Sequence, residues 1–201
     1  MKIANTRKIA ITAIMSAMAA LLMFIELPLP FFPSFLKMDI SDLPAVIIAF
    51  AAGPIWGVAV ELIKNIIHMT TTKTGFVGEA ANFLVGGAFV LTAGVFYKQK
   101  HTRKGAIISL AAGTLSMIIM GIIVNYYIIL PFYSKIMPFD AIISLSAKAN
   151  TFIVDKLTLI LYGISPFNAL KGIILSVVTL LIYKPLSPIL HRSIQNKTHG
   201  S

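Results

Sequence analysis

Apolar runs bounded by charged residues, or by Gly and Pro, decide what this chain can become. The longest, Gly105 to about Leu130, has no charged side chain. As a helix rising ~1.5 Å per residue it would exceed the ~30 Å hydrocarbon core of a bilayer. Composition agrees, with 57% hydrophobic and 12% charged residues and a mean hydropathy of +0.88, whereas soluble domains are about a quarter charged. At roughly 20 apolar residues per span, 201 residues have room for about six helices.

The runs predict spans over 9–27, 43–52, 55–69, 76–97, 105–130 and 166–183 of one domain, 1–201. The fold class expected is all-α and integral to the membrane, a six-helix transmembrane bundle. Lys2, Arg7 and Lys8 in front of the first run suit a signal peptide as well, but no small-x-small cleavage site follows it, so the run is read as a span. The stretch 28–42 combines Pro28, Pro30 and Pro33 with Lys37, Asp39 and Asp42. No lipid-facing helix tolerates these together, and the next run is too short to cross upright, so the loop between helices 1 and 2 is expected to be partly re-entrant. Residues 132–165 are too polar for a lipid-exposed span and read as a loop with a surface helix. A seventh crossing over 141–163 would bury Asp155 and Lys156. Pro131 is expected to end helix five, Pro166 to open helix six, and the tail from Lys184 to fray.

Seventeen Lys and Arg against seven Asp and Glu give a formal charge of +10. In a soluble protein that balance suggests nucleic acid; here its distribution argues for a membrane orientation instead. Ten of the cations fall at the termini and in the 98–104 link. The other seven, Lys37, Lys64, Lys73, Lys135, Lys148, Lys156 and Lys171, are matched by seven acids in the outer loops and spans. The positive-inside rule then predicts a multi-pass protein of a prokaryotic plasma membrane with both termini cytoplasmic.

Polar residues within spans mark a pathway or pocket, because apolar residues would fill those positions at lower cost. Glu61, Lys64, Asn65 and His68 share one helix face at i, i+3, i+4 and i+7. An internal Glu61–Lys64 ion pair and direct ligand contact are both open readings. Glu79 and Asn82 precede Gly86-Gly87, Asn125 stands beside Tyr126 and Tyr127, and Asn168 lies one turn from Lys171. All lie in the outer half or middle of the spans and point to an outward-facing cavity. No G-x-x-x-x-G-K-[ST], H-E-x-x-H or G-x-S-x-G motif is present, so neither a nucleotide site nor a catalytic residue is expected. The chain has no cysteine, and His68, His101, His191 and His199 are far apart, so no metal site is expected. Asn196-Lys197-Thr198 matches a glycosylation sequon by chance in a cytoplasmic tail.

The segments Leu36-Lys37-Met38-Asp39-Ile40-Ser41-Asp42-Leu43-Pro44, Gly53-Pro54, Glu61-Leu62-Ile63-Lys64-Asn65, Gly78-Glu79-Ala80-Ala81-Asn82-Phe83 and Pro166-Phe167-Asn168-x-x-Lys171-Gly172 together resemble the substrate-binding S components of the energy-coupling factor (ECF) vitamin transporters. The resemblance spans about residues 8–185 and is strongest to the riboflavin branch. It implies a substrate-specific subunit for high-affinity riboflavin uptake that docks on a coupling membrane protein and two ATPase subunits, the latter supplying the nucleotide chemistry missing here. Riboflavin would be the transported ligand, with no cofactor and no catalysis. By the same resemblance Asn125 and Lys171 would meet the polar edge of the ring. Leu36, Lys37, Met38, Asp39 and Ile40 would cover the pocket, and Glu61, Asn82 and Asn168 would contribute further contacts. Ala13 and Ala17 match the family's A-x-x-x-A docking signature, and small residues at i and i+4 admit a partner helix. An S component for thiamin or a folate, or a small membrane enzyme, are the alternatives. Thiamin would want stacking aromatics, and the single Trp, Trp56, is at the cytoplasmic turn; a metal-dependent enzyme would want acids at the cytoplasmic face.

Overall fold

A computed structural model describes residues 2–72 and 74–195, with side chains described over 6–72 and 74–182. Lys73 and the tail from 196, which carries the sequon, lie outside the described residues. The chain is mostly helical. Helix α1 (Lys2–Met23) leads into a two-stranded hairpin, β1 (Leu27–Pro28) and β2 (Lys37–Met38), with Leu27 opposite Met38. Helices α2 (Asp42–Ala52) and α3 (Pro54–His68) follow, then a short 3-10 turn, α4 (Val77–Gln99) and α5 (Arg103–Val124). A π turn (Asn125–Ile129) joins α5 to α6 (Leu130–Tyr133). Beyond it lie α7 (Phe139–Ala147), α8 (Lys156–Thr158), a second π turn (Leu159–Ile164) and α9 (Ser165–Gln195).

Among the described residues four segments are long and apolar enough to cross a membrane: Thr6–Met23, Val77–Gln99, Arg103–Tyr133 and Lys156–Ile182. The 11 residues of α2 and 15 of α3 reach only about 16 and 22 Å. They meet at Gly53, whose φ of 114° and ψ of 161° suit glycine alone, and Pro54 starts α3 where its missing N–H costs nothing.

Two expected boundaries are corrected, both at prolines. Pro131 does not end helix five and Pro166 does not open helix six. Proline lacks an N–H and crowds the carbonyl of the preceding turn, and in each case the helix widens into a π turn just before it. The N–H of Leu130 donates to the Asn125 carbonyl, and that of Ser165 to the Ile160 carbonyl, each five residues back. Asn150 Nδ2 donates to the Tyr162 carbonyl, four residues before Pro166, at 3.4 Å. The last long helix therefore begins at Lys156, where Asp155 and Thr158 form a reciprocal capping box, and it runs on to Gln195 rather than stopping at 183. Those donated hydrogen bonds hold the exposed Asp155 carboxyl below the usual carboxylate range. Within the loop 28–42 the hairpin pairs Pro28 with Lys37.

Packing is that of a membrane protein. Large apolar side chains such as Leu21, Ile55, Leu115 and Leu181 are exposed, while Asp42, Glu61 and Lys64 are fully buried. Val46, Ala49 and Phe50 of α2 pack with Phe89, Ala93 and Tyr97 of α4 and with Leu110 and Met117 of α5. The rings of Phe50 and Tyr97 stack with centroids 4.0 Å apart. Close approach depends on small residues: a Cβ on Gly57 would lie 2.7 Å from the Ala45 carbonyl, and one on Gly113 within 3.0 Å of Phe89. A second cluster, Leu130, Ile142, Ile153, Leu159, Ile160 and Ile164, joins the two π turns to α7.

Candidate functional site

Three adjoining cavities open where the hairpin loop, the start of α4 and the two π turns converge. The first, about 160 Å³, is lined by Leu36, Lys37, Asn82, Asn125, Asn168 and Lys171 among others. Six residues singled out in the sequence thus meet at one place, although they come from four separate parts of the chain. The second, about 210 Å³, is walled mainly by Ile129, Leu130, Tyr133, Met137, Ile142 and Leu145. A third, about 200 Å³, is bordered by Glu26, Asp39, His68, Thr71, Glu79 and Asn82. Phe35 borders all three. None alone reaches the ~300 Å³ of a site for a drug-sized ligand, so such a molecule has to extend from one compartment into the next past this ring.

The polar side chains of the first cavity are held by their own helices. Asn125 Nδ2 donates to the Gly121 carbonyl at 2.8 Å, and Asn168 Nδ2 to the Ile164 carbonyl at 2.9 Å. Each amide uses one N–H in this way and keeps its other N–H and its carbonyl for a ligand. A Cβ on Gly121 would lie 2.6 Å from Asn168 Nδ2, so Gly121 serves both asparagines, one through its carbonyl and one through its missing side chain. Asn82 is reached at 3.3 Å by Asn65 Nδ2 of α3. Lys171 Nζ lies 2.9 Å from Asp39 Oδ2 and 3.1 Å from Asp42 Oδ2.

Other residues singled out are placed differently. Asp39 lines the third cavity rather than the first. Met38 is buried in the hairpin and Ile40 is exposed; neither lines any of the three cavities. Glu61 is fully buried and pairs with Lys64 at 2.9 Å, so of its two open readings the internal ion pair is the one the geometry supports. Ala13 and Ala17 are exposed on α1 together with Ala10. Lys37 pairs with Glu26 across the hairpin.

Phe35, Thr74 and Tyr133 line the cavities without having been singled out. Phe35 and Tyr133 gave no signal, being ordinary aromatics in aromatic-rich stretches. Thr74 belongs to a cluster in which its hydroxyl and that of Thr72 each donate to Glu79 Oε2 at 2.9 Å while His68 Nδ1 lies 3.2 Å from Oε1. This gives His68 the carboxylate neighbour that sequence spacing did not reveal. Among the described residues no three His, Asp or Glu side chains converge as a metal site.

Residues 7–183 match the family described as "ECF transporter, substrate-specific component". The chain is 38% identical to the riboflavin transporter RibU of Staphylococcus aureus (strain TCH60) over 188 residues, 94% of each chain. It is 36% identical to the riboflavin transporter FmnP of Bacillus subtilis (strain 168), covering 92% of this chain and 94% of that one. A solved S component of a bacterial ECF transporter superposes with a TM-score of 0.75 at 34% identity, covering 92% of this chain and 98% of its own. With its cavity-forming helices and a match over nearly its whole length, the chain belongs to the substrate-specific components of the ECF transporters.

Proposed function

We propose that this protein binds riboflavin at the outer face of a prokaryotic plasma membrane and delivers it inward as the substrate-specific subunit of an ECF transporter. The observation that carries the reading is the division of the site into compartments of different chemistry around Phe35. Riboflavin has a matching division: an apolar dimethylbenzene end, a polar imide edge and a polyhydroxyl ribityl chain. The apolar compartment with Leu130, Met137 and Ile142 suits the first. Asn125, Asn168 and Lys171 offer donors and acceptors to the second. Thr71, Thr74, Glu79 and Asn82 suit the hydroxyls, each of which costs ~1–3 kcal/mol if buried without a partner. The resemblance in sequence to two riboflavin transporters supports the same ligand.

In this reading six membrane helices, with α2 and α3 as the short pair, enclose the site. Both termini are cytoplasmic, placing the 98–104 cations inside. Leu36, Lys37 and Asp39 of the hairpin loop form the partly re-entrant cover. The exposed Ala13 and Ala17 on α1 receive a coupling membrane protein, which with two ATPase subunits supplies the energy. Ligand binding itself needs no cofactor.

The test is titration of riboflavin fluorescence with the purified protein in detergent. Stoichiometric quenching at submicromolar ligand is expected. Absence of quenching at micromolar riboflavin would remove the assignment.

A further inference from the structure

Lys171 and Lys64 differ in how fully the protein satisfies them. Lys64 Nζ contacts Ser41 Oγ at 2.8 Å, Glu61 Oε2 at 2.9 Å and Asp42 Oδ1. Ser41 and Asp42 accept hydrogen bonds from it, the Glu61 carboxylate lies beside it as a counter-charge, and it is fully buried. Lys171 donates to Asp39 Oδ2 and has Asp42 Oδ2 beside it at 3.1 Å as a counter-charge, so it keeps an N–H for whatever enters the cavity that it lines. Asp42 alone touches both lysines, one with each carboxylate oxygen, and it lines none of the three cavities. Ser41 completes a closed ring of hydrogen bonds and one ion pair, Asp42 to Lys171: its backbone N–H donates to Asp39 Oδ1 at 2.9 Å, its hydroxyl also donates to that oxygen, and the hydroxyl accepts from Lys64. The ring runs Lys171, Asp39, Ser41, Lys64, Asp42 and back to Lys171, tying the hairpin loop, α2, α3 and α9 together.

We infer that Asp42 is a positioning residue for substrate binding, which holds the Lys171 ammonium in the register at which its free N–H meets the ligand. The fully buried Lys64 fixes one oxygen of Asp42 by a hydrogen bond, and the rigid carboxylate thereby places its other oxygen as the counter-charge beside Lys171. Asp42 is also at the first position of α2, where the helix dipole favours a carboxylate and further restrains it. Asp39 reaches Lys171 through Oδ2 while its Oδ1 is held by Ser41 of the same loop end. The inference rests on riboflavin as the ligand.

The experiment is a double-mutant cycle on riboflavin affinity with wild type, D42N, K171M and D42N/K171M, read by fluorescence quenching in detergent. D42N is expected to weaken binding at least tenfold in the wild-type background and less than twofold once Lys171 is gone, because Asp42 acts through it. Equal losses in both backgrounds would mean a general structural defect and overturn the inference, as would wild-type affinity in D42N. Should D42N not fold, S41A opens the same ring without unpairing a charge. It is expected to weaken binding at least threefold, again only where Lys171 is present, and unchanged affinity overturns the inference. Wild-type protein that fails to bind riboflavin defeats the functional reading itself, whereas wild type that binds beside an indifferent D42N defeats only the role of Asp42.

Discussion

Gly121→Ala reaches the ligand site without entering it. A Cβ at 121 would lie 2.6 Å from Asn168 Nδ2 and 2.9 Å from its Cγ, so the amide has to retreat by roughly 1 Å to recover ordinary contact distance. Retreat breaks the hold on the Ile164 carbonyl and removes the amide from the place where it meets the ligand. A ligand polar group left without its partner costs ~1–3 kcal/mol; taking ~2 kcal/mol, affinity falls about thirtyfold. Stability moves the other way, since Gly to Ala within a helix gains ~1 kcal/mol, which offsets the local crowding. The expected signature in a quenching titration is therefore a weaker Kd at a nearly unchanged ligand-free melting midpoint. Gly87→Ala is the control, because its Cβ would come no closer than 3.9 Å to Phe83, and it should bind as wild type does. A Kd for G121A within twofold of wild type would show that Asn168 is not held where the ligand needs it and that Gly121 does not place it.

Lys64→Met leaves Glu61 and one oxygen of Asp42 buried without a cation, a loss of ~3–5 kcal/mol that should appear as a large drop in thermal midpoint or as failure to purify folded protein. Glu61→Gln should be far milder, within ~1 kcal/mol of wild type in the same melting assay. Asp39, Asp42 and Glu61 outnumber Lys64 and Lys171 in that buried cluster, so this change brings the charges into balance. Ala13→Trp should abolish riboflavin uptake into cells and leave binding in detergent unchanged, because the side chain is exposed on α1 away from the cavities; loss of both would contradict a docking role.

Much of the site was legible because membrane burial makes polar side chains informative. Asn82, Asn125, Asn168 and Lys171 stand out in sequence for one reason, that apolar residues would have been cheaper there, and they do line one cavity. The i, i+3, i+4, i+7 face of α3 was equally readable, and Glu61, Lys64 and Asn65 are indeed buried together. Which of them turns to a cavity and which to another helix was not readable, since spacing fixes the face of one helix and says nothing of what its neighbour presents. Glu61 is the example: its cation is on its own helix, but the Asp42 and Gly86 it packs against come from α2 and α4.

The helix boundaries show the same limit from the backbone side. Pro131 and Pro166 are helix breakers by local rule, and the first was read as an end and the second as a start. The helices continue because the missing donor is absorbed by a widened turn and, at Tyr162, the carbonyl is picked up by Asn150, twelve residues earlier in the chain. That rescue is tertiary and leaves no local mark. It also has a consequence for the site, since a π turn inserts one residue into the helical register and rotates whatever follows relative to what precedes it. Asn125 opens one such turn and Asn168 follows the other by four residues. Each amide therefore stays in register with the long helix beside its turn, and it is the short segment on the far side, Leu130–Tyr133 or Lys156–Thr158, that the turn rotates by about 100°. Pro131, which made a boundary hard to read, thus lies at the turn that sets how Leu130 and Tyr133, which wall the apolar cavity, face relative to Asn125.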